Sequence, residues 1–134
     1  GAAERRHLGR FLVHVDELVV AGGLGELVDP FLADLNPGAG ADLFADLAQM
    51  RSAVEGGLQA IDSGFGVAQA ATVAKAEANR VMHTMANEGI QLHGGIGMTD
   101  EYDVGFYLKR ARVLEQSFGS SSWLKDRFSK LSGY

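Results

Sequence analysis

A glycine-rich segment, Gly94-Gly95-Ile96-Gly97, is the part of the sequence whose residue types best suit the binding of an anion. Glycines allow a ligand to approach the main chain closely, and the amide groups of such a segment can point at a phosphate. The segment lacks the GxGxxG spacing and follows a predicted helix where a strand is required, which excludes a Rossmann domain. From the residues alone, a plain turn between helices is the favoured interpretation and an anion site is the alternative.

Two further polar clusters have simpler structural explanations than chemistry. The serines at 120–122 could include a nucleophile, but no Ser-His-acid order accompanies them, and helix capping is preferred. The acids at 100–103 could hold a hard cation, but acidic residues in the first turn of a helix explain them more simply. These acids are Asp100, Glu101 and Asp103.

The histidines do not form a metal-binding pattern. No HExxH motif occurs, and no pair has the spacing of zinc ligands, so structural or surface roles are expected and no metal is predicted. The four are His7, His14, His83 and His93.

Composition narrows the class of protein. The chain has 134 residues, a net charge of −5, 18 glycines and no cysteine. It has no apolar run of the ~20 residues that a membrane helix needs, and no disulfide or thiolate site is possible. We therefore expect a cytoplasmic domain without membrane contact. The six bases after residue 104 could meet a phosphate-bearing ligand or an acidic partner, or could form a solvated helix face. Nucleic-acid binding is not expected from an acidic chain without an aromatic platform.

The elements that position these residues are predicted to be helices. Apolar residues recur at steps of three and four along four segments, and no segment shows the alternation of a strand. Gly64 is predicted to end the first helix, Gly89 or Gly94 the second, and Thr99 to cap the third. We therefore predict an all-α domain, an antiparallel four-helix bundle. The apolar positions are Leu43, Leu47, Met50, Val54, Leu58 and Ile61 (helix about 42–61); Val67, Ala71, Ala74, Ala78, Val81 and Met85; Val104, Leu108, Ala111 and Leu114; Leu124, Phe128 and Leu131.

Three segments together resemble one protein family. The block IQLHGGIGMTDEYDVGFYLKRARVLEQSFGSSS is similar to the C-terminal signature of the acyl-CoA dehydrogenases. DSGFGVAQAATVAKAEANRVMHTMANEG resembles the DSG turn and small-residue helix, containing AKA, that precede it in the family. ERRHLGRFLV resembles the family's ERxxFGxxL stretch. The resemblance implies that residues 1–134 are one C-terminal helical domain of a FAD-dependent oxidoreductase.

The resemblance also implies cofactor contacts. Gln91, Gly94 and Gly95 stand where family members contact the adenosine and pyrophosphate part of a neighbouring subunit's FAD. Arg5 matches the arginine of ERxxFG, a second phosphate contact, whereas Leu8 replaces the usual Phe. A homodimer or homotetramer, or pairing with a related dehydrogenase subunit, is the expected assembly.

The serine cluster acquires a second interpretation from the resemblance. Ser120 stands where a Thr near the flavin is common and keeps the hydroxyl. Ser122 replaces a frequent Gln. Phe118 occupies the position of the glutamate that, in many members, removes the α-proton of the acyl thioester. A phenyl ring cannot accept a proton, so no catalytic residue is predicted here and the isolated chain is expected to be inert.

Residues 15–41, rich in glycine and proline, lengthen the chain relative to a typical family member. Either they are an inserted helical excursion, or the N-terminal match is accidental. The functional alternative is a non-catalytic interaction module, such as a degenerate subunit that pairs with a complete dehydrogenase. In the parent reaction a base removes the α-proton of the acyl-CoA while the β-hydride passes to the flavin. We expect this chain to lack the β-domain and the upstream helix that complete this site in the family.

Overall fold

The computed structural model describes residues 37–99 and 104–134. All regular elements in these two ranges are helices, and no strand occurs in them. This confirms the predicted all-α class. The elements are α1 (Pro37–Ser63), α2 (Val67–His93), a short 3-10 helix (Gly94–Met98), α3 (Val104–Gln116) and α4 (Ser121–Leu131).

The first two helices form an antiparallel hairpin, because only three residues connect them. Gly64 adopts a positive φ of 72°, and its amide donates to the Ala60 carbonyl at 2.9 Å. The predicted end of the first helix at Gly64 is confirmed. The helix begins at Pro37, before the predicted start near 42, so residues 37–41 belong to α1.

The core lies mainly between α1 and α2. The apolar positions predicted for α1 alternate at steps of three and four and are buried as far as Val54, while Leu58 and Ile61 are partly buried and pack against the core. The predicted buried side of α2 is confirmed except at Val67, which is only partly buried, and α3 adds two residues. The buried members are Leu43, Leu47, Met50 and Val54 of α1, Ala74, Ala78, Val81, Met82, Met85 and Ala86 of α2, and Ala111 and Leu114 of α3.

Helix α2 is the element that organises the described fold, since it contacts α1, α3, α4 and the 3-10 helix. Ala71, Ala74 and Ala78 are buried on it. Small side chains let neighbouring helices approach α2 closely, and alanine also has the highest helix propensity. An alanine-rich helix can therefore pack against all four of these neighbours at once.

The last helix is present as predicted but is mostly exposed. Leu124 is buried, whereas Phe128 and Leu131 retain substantial exposure. No helix in residues 37–99 or 104–134 combines the length and apolar character needed to cross a bilayer. Several predictions fall outside the described residues. They concern the site residue Arg5, most of the 15–41 segment and the acids at 100–103. The residues on which the predicted cap at Thr99 depends also lie outside.

Candidate functional site

The glycine-rich segment lies where α2 ends and the 3-10 helix begins. Gly94 has φ 58° and ψ −142°, and its amide donates to the Gln91 carbonyl. In the preceding residue, Nδ1–H of His93 donates to the Gly89 carbonyl at 2.8 Å. The side chain of Gln91 and both glycines are exposed. The structure therefore brings Gln91, Gly94 and Gly95 together at one exposed end of α2.

The two glycines of this pair meet different physical demands. The conformation of Gly94 is one that L-residues with side chains rarely adopt, so the chain itself requires glycine there. Gly95 has no positive φ, and a Cβ added to it would meet no atom within 4 Å. Neither packing nor backbone geometry in the described part of the chain explains the glycine at 95.

The serine cluster lies where the tight turn between α3 and α4 meets the start of α4. Ser120 occupies the N-cap position of α4, as the capping interpretation predicts, but its hydroxyl makes no capping hydrogen bond. Its Oγ lies 3.2 Å from the Oγ of Ser122. Both hydroxyls are thus near each other at the start of α4, and their geometry shows no activation of a nucleophile.

The turn itself has an unusual backbone. Phe118 has φ 62°, the only positive φ of a non-glycine residue in the described chain, and is 56% exposed. Gly119 has φ 117°, and a Cβ added there would lie 2.5 Å from Cε3 of Trp123. The guanidinium of Arg127 lies over the same Trp123 ring, with its Cζ 5.2 Å from the ring centroid. A bulky residue with positive φ is costly, so the surroundings must hold the turn in place.

A buried polar pair under this turn was missed by the sequence analysis. Lys75 is only 2% exposed, and its Nζ donates to Asn79 Oδ1 and, at 2.7 Å, to the Leu114 carbonyl. Asn79 in turn donates from Nδ2 to the Gly119 carbonyl at 3.4 Å. The available signal was a lysine inside the alanine-rich stripe of α2, a position where a surface lysine is not expected.

The environment of Lys75 disfavours its charged form. Burial lowers the pKa of the ammonium from 10.5 to about 8, and the negative charge of Glu115 partly opposes this shift. At pH 7 the group is mainly protonated and is compensated by the carbonyl and amide oxygens around it.

Residues 39–130 match the family model described as acyl-CoA dehydrogenase, C-terminal domain. The chain belongs to the acyl-CoA dehydrogenase family. The chain is 39% identical over 71 residues to acyl-CoA dehydrogenase IpdE2 of Mycobacterium tuberculosis, which covers 53% of this chain and 21% of the relative. It is 32% identical over 79 residues to acyl-CoA dehydrogenase IpdE2 of Mycolicibacterium smegmatis, covering 59% of this chain and 24% of the relative. The matched part thus spans between a fifth and a quarter of these relatives.

Within this acyl-CoA dehydrogenase domain, the predicted site residues form two groups. Asn79 contacts Gly119 beside the serines, whereas Gln91 lies about three helical turns further along α2, about 18 Å along the axis. One chain therefore does not bring Gln91, Gly94 and Gly95 into the same pocket as Ser120 and Ser122. Arg5 lies outside both the described residues and the family match.

No cluster of three or more histidine or acidic side chains suited to a metal ion occurs within the described ranges. His93 is engaged with a main-chain carbonyl instead. The chemistry available is thus close approach to the main chain at Gly94 and Gly95 and, at a separate place, hydrogen bonding from serine hydroxyls near Phe118.

Proposed function

We propose that this chain is the FAD-contacting helical domain of an acyl-CoA dehydrogenase that introduces an α,β double bond into acyl-CoA thioesters. When bound, FAD supplies the acceptor for the β-hydride. The chain would allow close main-chain approach of the pyrophosphate at Gly94 and Gly95, and would contribute the Gln91 side chain to the adenosine part and the Ser120 and Ser122 hydroxyls near the flavin. The family match over residues 39–130 supports this proposal.

The single observation that carries the cofactor contact is the unexplained glycine at 95. The space that a Cβ would fill is free of described atoms, so a ligand can reach the main chain there. Main-chain amides of a glycine-rich segment that point at an anion stabilise it through their partial positive charges. The residues present therefore fit a diphosphate, and a methyl group at 95 would hold it away.

The distance between the two groups of residues supports a shared cofactor site. Because Gln91 and the serines are separated by about 18 Å along α2, we propose that they serve FAD molecules bound at different subunit boundaries of a homodimer or homotetramer. We also propose the antiparallel four-helix arrangement, which the α1–α2 hairpin supports. The same proposal includes an insertion at 15–41, whose last residues form the beginning of α1.

We also propose that the chain alone does not catalyse dehydrogenation. Phe118 occupies the position at which the family resemblance implies a glutamate base, and its ring is largely exposed on the turn. A general base must be able to accept the α-proton within hydrogen-bond reach, and a phenyl ring has no such atom. The residues described here would bind and orient, and the proton would have to leave to a group elsewhere in the assembly.

A titration of the purified chain with FAD, followed by flavin fluorescence, tests these proposals. We expect Gly95→Ala to weaken FAD binding at least tenfold, whereas Gly56→Ala, a matched change at an open glycine of α1, leaves it unaltered. Acyl-CoA added to the FAD-loaded chain should not bleach the flavin absorbance. Equal FAD affinities of the two variants would contradict the phosphate contact, and bleaching would contradict the absence of a base.

The second candidate function is a non-catalytic subunit that pairs with a complete dehydrogenase. Phe118 in place of a carboxylate favours it, since such a subunit needs no base. The same titration separates the two functions. No flavin contact by the chain, together with stable association with a complete dehydrogenase, would support the interaction module over the FAD-contacting domain.

A further inference from the structure

The last turn of α3 carries carbonyl groups that have no partner within the helix. Such groups occur at the C-terminal end of every helix and need hydrogen bonds from elsewhere. The Val113 carbonyl accepts from the Ser117 amide at 3.0 Å and from its hydroxyl at 2.8 Å. The Leu114 carbonyl accepts from the ammonium of Lys75 at 2.7 Å. A positive charge at this end also interacts favourably with the helix dipole.

The hydrogen bonds of Lys75 continue into the turn through Asn79. The Asn79 side chain accepts from Lys75 and donates to the Gly119 carbonyl. Two side chains one helical turn apart on α2 therefore contact both the end of α3 and the middle of the turn. Through them, the main chain on each side of Phe118 is tied to the same rigid helix.

Burial of this pair is expensive compared with an apolar alternative. A methionine at 75 would fill similar volume without removing a charge from water, and buried ionic groups are often replaceable by apolar ones without loss of stability. Lys75 and Asn79 thus do something that general core packing does not require. Their hydrogen bonds to the Leu114 and Gly119 carbonyls lead to the end of α3 and to the turn between α3 and α4.

The turn needs such support because its conformation is strained. Phe118 has a positive φ, and a Cβ added to the following Gly119 would overlap the ring of Trp123. Residues in sparsely populated backbone regions persist only when the surrounding structure determines them. The polar pair of α2 and the ring of Trp123 both contact the turn and meet this requirement.

We propose that Lys75 and Asn79 are positioning residues that fix the Phe118–Gly119–Ser120 turn on α2 and so set where the Ser120 hydroxyl is presented. The role in presenting Ser120 to a flavin rests on the proposed function. The placement of the turn does not, and it is tested separately.

Trp123 provides the signal for this test, because it is the only tryptophan of the chain and contacts the turn. Lys75→Met keeps the aliphatic stem and removes the donor. Asn79→Asp keeps an acceptor for Lys75 and removes the donor to Gly119. In both variants we expect a shifted Trp123 emission and at least tenfold faster hydrogen exchange at the amides of Ser117 and Leu124, which flank the turn.

The control is Lys109→Met, the same change at an exposed lysine of α3. It should leave the Trp123 emission and both exchange rates unaltered. The α1 and α2 amides should keep their protection in Asn79→Asp, which decides the matter if Lys75→Met does not fold. Unaltered Trp123 emission and exchange in Asn79→Asp, or exchange that accelerates equally throughout α1 and α2, would overturn the proposal.

A titration with flavin mononucleotide and ADP separates the positioning role of Lys75 and Asn79 from the proposed function. With flavin mononucleotide as the probe, Asn79→Asp should bind at least fivefold more weakly than the unaltered chain, while its affinity for ADP stays the same. Absence of flavin mononucleotide binding by the unaltered chain counts against the proposed function, and the Trp123 result then still decides whether the turn is positioned as proposed.

Discussion

Glycines that look alike in the sequence differ in what the molecule requires of them. Gly119 combines a positive φ with contact against Trp123, Gly94 has only the backbone requirement, and Gly95 and Gly56 have neither. Substitution by alanine adds one methyl group in each case. The outcome should therefore depend on the surroundings of that methyl group and on φ, and it can be predicted for each position.

Gly119→Ala should destabilise the chain by roughly 2 kcal/mol or more, because the new Cβ overlaps the Trp123 ring and the residue is held at an unfavourable φ. Gly56→Ala, in the exposed interior of α1, should instead stabilise by about 0.5–1 kcal/mol through helix propensity. Urea unfolding of both variants checks the signs. A neutral Gly119→Ala, with unaltered Trp123 fluorescence, would show that the turn is not held as described.

Lys75 should make stability depend on pH. Its pKa in the folded chain is about 8, below the ordinary 10.5. Between these values the unfolded chain binds more protons, so the free energy of unfolding rises with pH, by on the order of 3 kcal/mol in total. Below about pH 8 the cost of burying the charge is fully present.

The stability difference between the unaltered chain and Lys75→Met isolates this contribution. We expect that difference to shift in favour of the unaltered chain from pH 7.5 to 10.5, measured by thermal unfolding at each pH. A difference that stays constant over this range would mean that Lys75 is not buried as a cation.

The polar pair shows where residue patterns stop being informative. Apolar spacing predicts which positions of α2 face the core. It does not predict a lysine whose aliphatic stem is buried and whose ammonium donates to a carbonyl on another helix. The contact between Lys75 and Leu114 joins residues far apart in the chain. No local pattern around either residue indicates it.

At the scale of elements, the α1–α2 hairpin is held by apolar burial with an ion pair at its surface. Arg80 of α2 donates to both carboxylate oxygens of Asp46 of α1, at 2.9 and 3.1 Å, and also to Glu77. This hydrogen bonding lowers the pKa of Asp46 below its ordinary value and outweighs the effect of burial. The Arg80 side chain is 45% exposed, so water screens the pair.

Truncation of a core residue should therefore cost more than loss of the ion pair. Met50 is fully buried, and Met50→Ala should destabilise by about 2–5 kcal/mol. Asp46→Ala should cost no more than about 1 kcal/mol at neutral pH. Chemical denaturation of the two variants compares them, and the reverse order would contradict the view that apolar burial dominates this hairpin.

The helices themselves were accessible from the sequence because their period is strong. Leu43, Leu47, Met50 and Val54 recur at helical spacing, and Gly64 ends the element with the conformation that only glycine adopts easily. The beginning of α1 was less predictable, because Pro37 is acceptable in the first turn of a helix as well as in a loop.

For the site, the pattern predicted residue types but not their separation. The residue types alone favoured a plain turn at Gly94 and Gly95, with an anion site as the alternative, and the placement of these glycines at the end of α2 follows from the helix boundaries. That the turn carrying the serines contacts α2 at Asn79, about 18 Å along the helix axis from Gln91, depends on how α3 returns against α2. Such a return is a tertiary contact, which spacing along the chain does not determine.

At the scale of the whole molecule, this separation has a direct consequence for the cofactor. The acyl-CoA dehydrogenase domain presents the group of residues proposed to contact adenosine and phosphate at one place and the group proposed to contact the flavin at another. Two different parts of FAD should therefore contact two different parts of one chain. On the proposed function, an assembly of several chains brings complementary groups around a single FAD.

Amide NMR of the labelled chain, titrated separately with ADP and with flavin mononucleotide, measures this most directly. The account predicts that ADP shifts the signals of Gln91, Gly94 and Gly95, and that flavin mononucleotide shifts those of Ser120 and Ser122. Each probe should leave the other group unaffected. Shifts of both groups by one probe, or of neither group by either probe, would contradict the claim that this domain contacts FAD at two separate places.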